Sequence, residues 1–140
     1  MEKACEHLTA HGINLSAQRI AVMQYLLEHH THPTADVIHS ALVRKLPTLS
    51  KTTVYNTLRL FVEHGAATML TIDERSANFD YRTDPHAHFL CTQCGHIYDL
   101  PEDHERLLSC TNLKTGMKAE SAALYLRGCC HRCNAQKTEA

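Results

Sequence analysis

The segment Ser50-Lys-Thr-Thr-Val-Tyr-Asn-Thr-Leu-Arg-Leu-Phe-Val-Glu-His-Gly65 writes two unlike faces onto one helix. Val54, Leu58, Phe61 and Val62 fall at i, i+4, i+7 and i+8, a single apolar stripe for burial. Ser50 is placed to cap the first turn, and Gly65 to stop the last. Lys51, Thr52, Tyr55, Asn56 and Arg59 therefore turn outward. Lys51 and Arg59 suit phosphates, while Thr52, Tyr55 and Asn56 carry the hydroxyls, amide and methyl that touch base edges. No acid interrupts this face before Glu63, which sets it apart from an ordinary solvated helix surface.

Working upstream, residues 2–11 read as a short amphipathic helix with Ala4, Cys5 and Leu8 inside and Gly12 after it. Ser16 caps a second helix to about His29, with Ile20, Met23, Leu26 and Leu27 buried. Thr34, after the turn His32-Pro33, caps a third, with Val37, Ile38, Ala41 and Leu42 inside and Pro47 as its stop. Downstream, short strands at 67–72 and 77–81 flank the polar turn Asp73-Glu74-Arg75-Ser76. Helices closed by such a hairpin predict a winged helix-turn-helix. From Asp84-Pro85 onward the pattern changes: strands near 88–91 and 96–100, a helix near 102–110 and a longer strand over 117–127. The reading is an α+β chain with a winged-helix unit over 1–83 and a small α/β unit over 84–140.

Two Cys-x-x-Cys knuckles, Cys91-Thr-Gln-Cys94 and Cys130-His-Arg-Cys133, supply four thiolates, the full tetrahedral set of a structural Zn²⁺. A redox dithiol expects a thioredoxin-like surround that neither pair has, and disulfides would need an oxidising compartment. Of seven cysteines, Cys5, Cys110 and Cys129 are left over; they read as small apolar residues, with Cys129 a rival donor beside Cys130. A second group, Asp80, His86, His88 and Asp99, offers nitrogen and oxygen without sulfur, which suits Fe²⁺, Mn²⁺ or Zn²⁺. His-x-His alone reads equally as two surface histidines on one strand face; the bracketing aspartates favour a metal. Seven of the twelve histidines (His7, His11, His29, His39, His64, His104 and His131) show no partner pattern and read as surface residues.

A net charge of −1 gives no global attraction to nucleic acid, so DNA binding must come from local placement and from dimerisation. No apolar run reaches membrane-spanning length, and Met1–Gly12 lacks a signal peptide's apolar core. The expectation is a cytoplasmic protein with no membrane partner.

The whole chain resembles the ferric uptake regulator family of bacterial metal-dependent repressors. The resemblance is carried by Ser16-Ala-Gln-Arg19, His32-Pro-Thr-Ala-Asp36, Thr53-Val-Tyr-Asn-Thr-Leu58, His86-Ala-His88-Phe-Leu-Cys91-Thr-Gln-Cys94-Gly95 and the closing knuckle. It implies a homodimer that binds an inverted-repeat operator in double-stranded DNA through the winged helices, with Arg19 joining the DNA-facing set. It also implies a regulatory Fe²⁺ or Mn²⁺ held by His32, Asp80, His86, His88 and Asp99. Asp99, where iron-uptake regulators commonly have Glu, and Asn56, where they often have Arg, resemble the peroxide-responsive branch. In that branch His32 and His86 are the ligands expected to be oxidised. Ala122 stands where a third metal site would need His. The alternative within the family is an iron, manganese or zinc uptake repressor without peroxide sensing. A metal-dependent hydrolase is disfavoured, because five protein ligands leave little room for substrate and no general base adjoins the site.

Overall fold

Three helices begin on hydroxyl caps whose oxygens accept a main-chain N–H three residues ahead. Ser16 accepts from Arg19, Thr34 from Val37 and Ser50 from Thr53, at 3.2, 3.2 and 3.0 Å. The computed structural model describes residues 1–84, 86–101, 116–119 and 122–138. Its contacts divide into two units, Met1–Thr83 and Asp84–Ala140.

The first unit holds α1 (Glu2–Ala10), α2 (Ala17–Glu28), α3 (Ala35–Leu42), α4 (Lys51–Glu63) and the hairpin β1 (Thr68–Leu70) with β2 (Asn78–Asp80). Leu8, Met23, Leu26, Ile38, Val54, Leu58 and Phe61 close one core, each almost fully excluded from solvent. Burying such side chains contributes about 1.5–3 kcal/mol apiece. Helices followed by a two-stranded antiparallel wing make this a winged helix-turn-helix. On α3, Val37 and Ala41 lie exposed, against expectation, and only Ile38 is fully buried. That helix also ends at Leu42, ahead of Pro47, so its eight residues present a single narrow seam.

The surface reading of the histidines holds for His29, His64 and His131, which are exposed, and needs correcting for His7, His11 and His39, which are half-buried. His7 Nε2 bonds the Ala66 carbonyl and His39 Nε2 the Leu49 carbonyl, each at 2.8 Å, pinning chain segments far apart in sequence. His11, His29 and His64 are the C-cap residues of α1, α2 and α4, and each ring Nδ1 bonds the carbonyl four residues back. Helix ends leave carbonyls without intrahelical donors, and an imidazole N–H supplies one. His104 lies outside the described residues.

In the second unit, β3 (Ala87–Cys91) is central, antiparallel to β4 (Ile97–Leu100) and parallel to β5 (Tyr125–Gly128). The strand expected over 117–127 is shorter: 117–119 and 122–124 are irregular, because β5 can pair only as far as β3 extends, from His88↔Tyr125 to Cys91↔Gly128. A helix that the sequence pattern does not announce, α5 (His131–Thr138), begins inside the second knuckle, between Cys130 and Cys133. Its sequence has no apolar stripe; Cys130 directly precedes it and Cys133 lies in its first turn. The helix expected near 102–110, and Cys110 with it, lie outside the described residues.

Replacing Ser50 by Ala removes the cap of α4 and should lower unfolding stability by about 1 kcal/mol, read as a reduced denaturant midpoint at unchanged slope. An unchanged midpoint would show that the cap is dispensable.

Candidate metal centres

Cys91 ends β3, and Cys130 lies two residues beyond β5. Since the two strands are parallel, their C-terminal ends share one edge of the sheet, and both knuckles meet there. Gly95, at φ +78°, turns the first knuckle and donates its N–H to the Cys91 carbonyl at 2.9 Å. Cys130 and Cys133, three apart at the start of α5, project from one helical face. All four sulfurs lie within 4.8 Å of one another. Cys91 Sγ is 3.8 Å from Cys133 Sγ, and Cys94 Sγ 3.8 Å from Cys130 Sγ. A tetrahedral ion with metal–sulfur bonds of about 2.3 Å sets its ligands about 3.8 Å apart, whereas a disulfide would require about 2.05 Å. The four cysteines therefore fit a metal and not a pair of disulfides.

The electrostatics agree. Main-chain N–H groups of Cys94 and Cys130 bond Cys91 Sγ and draw its pKa down to about 5. The Cys130 thiol next to Cys133 pushes that group up to about 12, with burial adding to the effect. Crowded thiols ionise in this order when each new negative charge meets the last. A divalent cation at the centre offsets that repulsion. Tyr98, which sequence reasoning missed, adjoins this cluster. Cys130 is the first cause of its raised pKa, and its ring packs against those of His96 and His131.

On β3, His86 precedes the strand and His88 lies within it, so the two share the face opposite Cys91. The antiparallel register sets Asp99 of β4 directly across from His88. Asp99 Oδ1 is 3.1 Å from His86 Nε2 and 3.3 Å from His88 Nε2. His86 Nδ1 donates to the Asp84 carbonyl at 2.8 Å, which turns Nε2 toward the Asp99 carboxylate. Two imidazole nitrogens converging on one carboxylate suit a cation or a proton between them. Neighbouring ligands of an octahedral ion with bonds of about 2.1 Å lie about 3.0 Å apart, close to the spacing observed. Two imidazoles and one carboxylate are the donor set of a divalent iron, manganese or zinc site with open positions.

The first unit contributes a second, smaller donor set. His32 and Asp80 are both buried, with His32 Nε2 3.5 Å from Asp80 Oδ2, and the Arg82 N–H orients the other carboxylate oxygen at 3.0 Å. His32 has φ +56°, a left-handed conformation costing a non-glycine residue roughly 1–2 kcal/mol. Strain of this kind gathers at functional sites.

Lys51, Thr52, Tyr55, Asn56 and Arg59 all lie exposed on α4, Tyr55 retaining 43% of its surface. Arg19, half-buried, donates Nη1 to the Asn14 carbonyl at 2.8 Å. Gln18, Arg19, Thr53 and Asn56 line a groove of about 400 Å³ shared by α2 and α4. Lys51 lies 3.8 Å from Asp36, an exposed pair that contributes little and leaves the ammonium available.

Residues 10–127 match the sequence model of the ferric uptake regulator family. The chain belongs to the ferric uptake regulator family. It is 37% identical over 138 residues to the peroxide operon regulator of Bacillus subtilis strain 168, covering 96% of this chain and 93% of that protein. It is 42% identical over 99 residues to the peroxide-responsive repressor PerR of Staphylococcus aureus strain Mu50, covering 71% and 67%. Among solved structures, a zinc uptake regulator complexed with zinc and DNA shares its fold at a TM-score of 0.77 and 18% identity, over 98% of this chain and 94% of that one.

Cys94→Ser should release the ion held by the four sulfurs and destabilise the second unit. Metal content by plasma emission spectrometry and a thermal melt read this together. A variant of unchanged metal content and melting temperature would contradict the tetrahedral assignment.

Proposed function

We propose that the protein is a metal-dependent transcriptional repressor that leaves its operator when hydrogen peroxide oxidises histidine ligands of its regulatory ion. The observation that carries this reading is the contrast between its two kinds of donor set. The cysteine cage is complete within one unit. The nitrogen and oxygen donors come as two partial sets, His32 with Asp80 in one unit and His86, His88 and Asp99 in the other. One ion taking all five would tie the DNA-binding unit to the second unit, and so set the spacing of two recognition helices in a homodimer. An inverted-repeat operator matches that two-fold symmetry. The names of the relatives, peroxide operon regulator and peroxide-responsive repressor, support the same branch, as do Asp99 and Asn56. Zn²⁺ suits the cysteines, and Fe²⁺ or Mn²⁺ the mixed set. Among the described residues no helix is long and apolar enough to cross a membrane.

The ion acts as effector only insofar as it prefers the DNA-competent arrangement. At about 100 times its dissociation constant it contributes roughly 2.7 kcal/mol, a normal allosteric coupling. When Fe²⁺ is bound it supplies electrons to peroxide beside its own ligands, which Mn²⁺ does far less readily. In net terms one peroxide oxygen ends on an imidazole ring carbon and the other leaves as water. His32 and His86 are the rings assigned to this step. An oxygenated imidazole donates more weakly, so the two partial sets separate and DNA is released. The cysteines take no part in this chemistry.

Operator binding measured with Fe²⁺ and with Mn²⁺, each before and after brief dilute peroxide, tests the reading. Release is expected with Fe²⁺ alone, accompanied by one added oxygen on peptides containing His32 or His86 and by retained zinc. Equal release with Mn²⁺, or release only through cysteine oxidation, would make the chain a plain metal-uptake repressor. Tyr55→Ala and Arg59→Ala should each weaken operator binding by about tenfold at unchanged metal content, and Arg59→Ala should also flatten the salt dependence. Asn56→Arg should change the preferred sequence; an unaltered preference would remove Asn56 from base readout.

A further inference from the structure

We propose that Asn78 is a positioning residue for the regulatory ion: its side-chain amide locks the backbone of His32 in the left-handed form that presents the imidazole to Asp80. The inference rests on the regulatory-site reading above. Asn78 is buried in β2, and its Nδ2 donates to the His32 carbonyl at 2.7 Å across 46 residues of chain. The next residue continues the grip, with the Phe79 N–H donating to the Pro33 carbonyl at 2.9 Å. The residue after that is Asp80, 3.5 Å from His32 Nε2. Three consecutive residues of β2 thus hold one turn through a side chain, a main-chain bond and a carboxylate.

The three grips do different things. The Phe79 bond fixes the peptide that follows Pro33. It does not touch the plane joining His32 to Pro33, which turns as one body. The Asn78 bond acts on that plane directly, through the His32 carbonyl. Released, His32 would relax toward negative φ, which any residue with a Cβ prefers, and its ring would swing away from Asp80. Asn is also a poor strand former, and burying its amide is unfavourable without partners. An apolar residue would serve the core of β2 better, so the amide is explained by its bond to the turn.

The test uses the full-length, zinc-loaded protein as wild type, Asn78→Ala and Asn78→Asp. Mn²⁺ affinity is measured by calorimetry, and the division of oxidation between His32 and His86 peptides by mass spectrometry after Fe²⁺ and peroxide. Asn78→Ala should keep its zinc, bind Mn²⁺ at least about tenfold more weakly, and shift oxidation from His32 toward His86. General destabilisation would not move that division. Asn78→Asp separates position from charge: a carboxylate cannot donate to the carbonyl, yet its added negative charge should by itself tighten cation binding. Weaker Mn²⁺ binding in this variant supports positioning. Wild-type affinity and an unchanged His32 to His86 ratio in Asn78→Ala, or tighter binding in Asn78→Asp, would overturn it. Loss of folding in both variants would equally overturn it, by making Asn78 a determinant of the fold. If the wild type shows no oxidised histidine, the peroxide reading fails on its own, while the Mn²⁺ affinities still decide the role of Asn78.

Discussion

The parallel pairing of β3 with β5 is the constraint on which the second unit depends. Parallel strands end at the same edge, so a ligand pair placed after each of them must meet its counterpart there. An antiparallel pairing of the same two segments would send the knuckles to opposite edges, and no four-sulfur site would form. Among the described residues the sheet has three strands, and a unit this small gains from a staple beyond its apolar core. A metal cross-link between segments far apart in sequence would be such a staple. Main-chain N–H groups draw the Cys91 thiol down while Cys130 pushes the Cys133 thiol up, a cluster that a central cation would help to ionise fully.

The same strand then separates two chemistries by alternation. His86 and His88 share one face and Cys91 takes the other, so soft sulfur and harder nitrogen and oxygen donors never compete for one ion. Sequence distance between the two sets is only a few residues, yet the pleat keeps them apart. A one-residue slip of β4 would remove Asp99 from opposite His88 and abolish the mixed set, whereas the cysteines, none of which lies on β4, would remain. Register therefore matters more to the mixed set than to the cysteine cage.

Much of this was legible in the residues because the signals were periodic or chemically singular. The stripe from Val54 to Phe61, the hydroxyl caps at Ser16, Thr34 and Ser50, and four cysteines in two knuckles each admit few readings. Features made by partners remote in sequence were not legible. Nothing near His7 or His39 announces the carbonyls of Ala66 and Leu49 that they bond. The helix after Cys130 has no apolar stripe, and Cys133 lies in its first turn. Val37 and Ala41 fit a helical period but face solvent, because α3 is too short to bury more than one seam. Asn78 did leave a trace, a polar amide in a strand between Ala77 and Phe79, but its meaning depends on a turn 46 residues away.

The near-neutral charge, at first a weakness for a DNA-binding protein, suits the proposed switch. A strongly basic chain gains much of its affinity from counterion release, a contribution indifferent to how its two halves are arranged. Such a protein would stay on DNA after losing its effector. With a net charge of −1, this chain has no strong overall field toward DNA, and in the proposed reading its binding would rest on local contacts made by the exposed face of α4. Binding that depends on register is sensitive to a coupling of about 2–3 kcal/mol, the amount one regulatory ion can supply. In the proposed switch, the low charge would let a modest metal-binding free energy make a usable difference between bound and free operator.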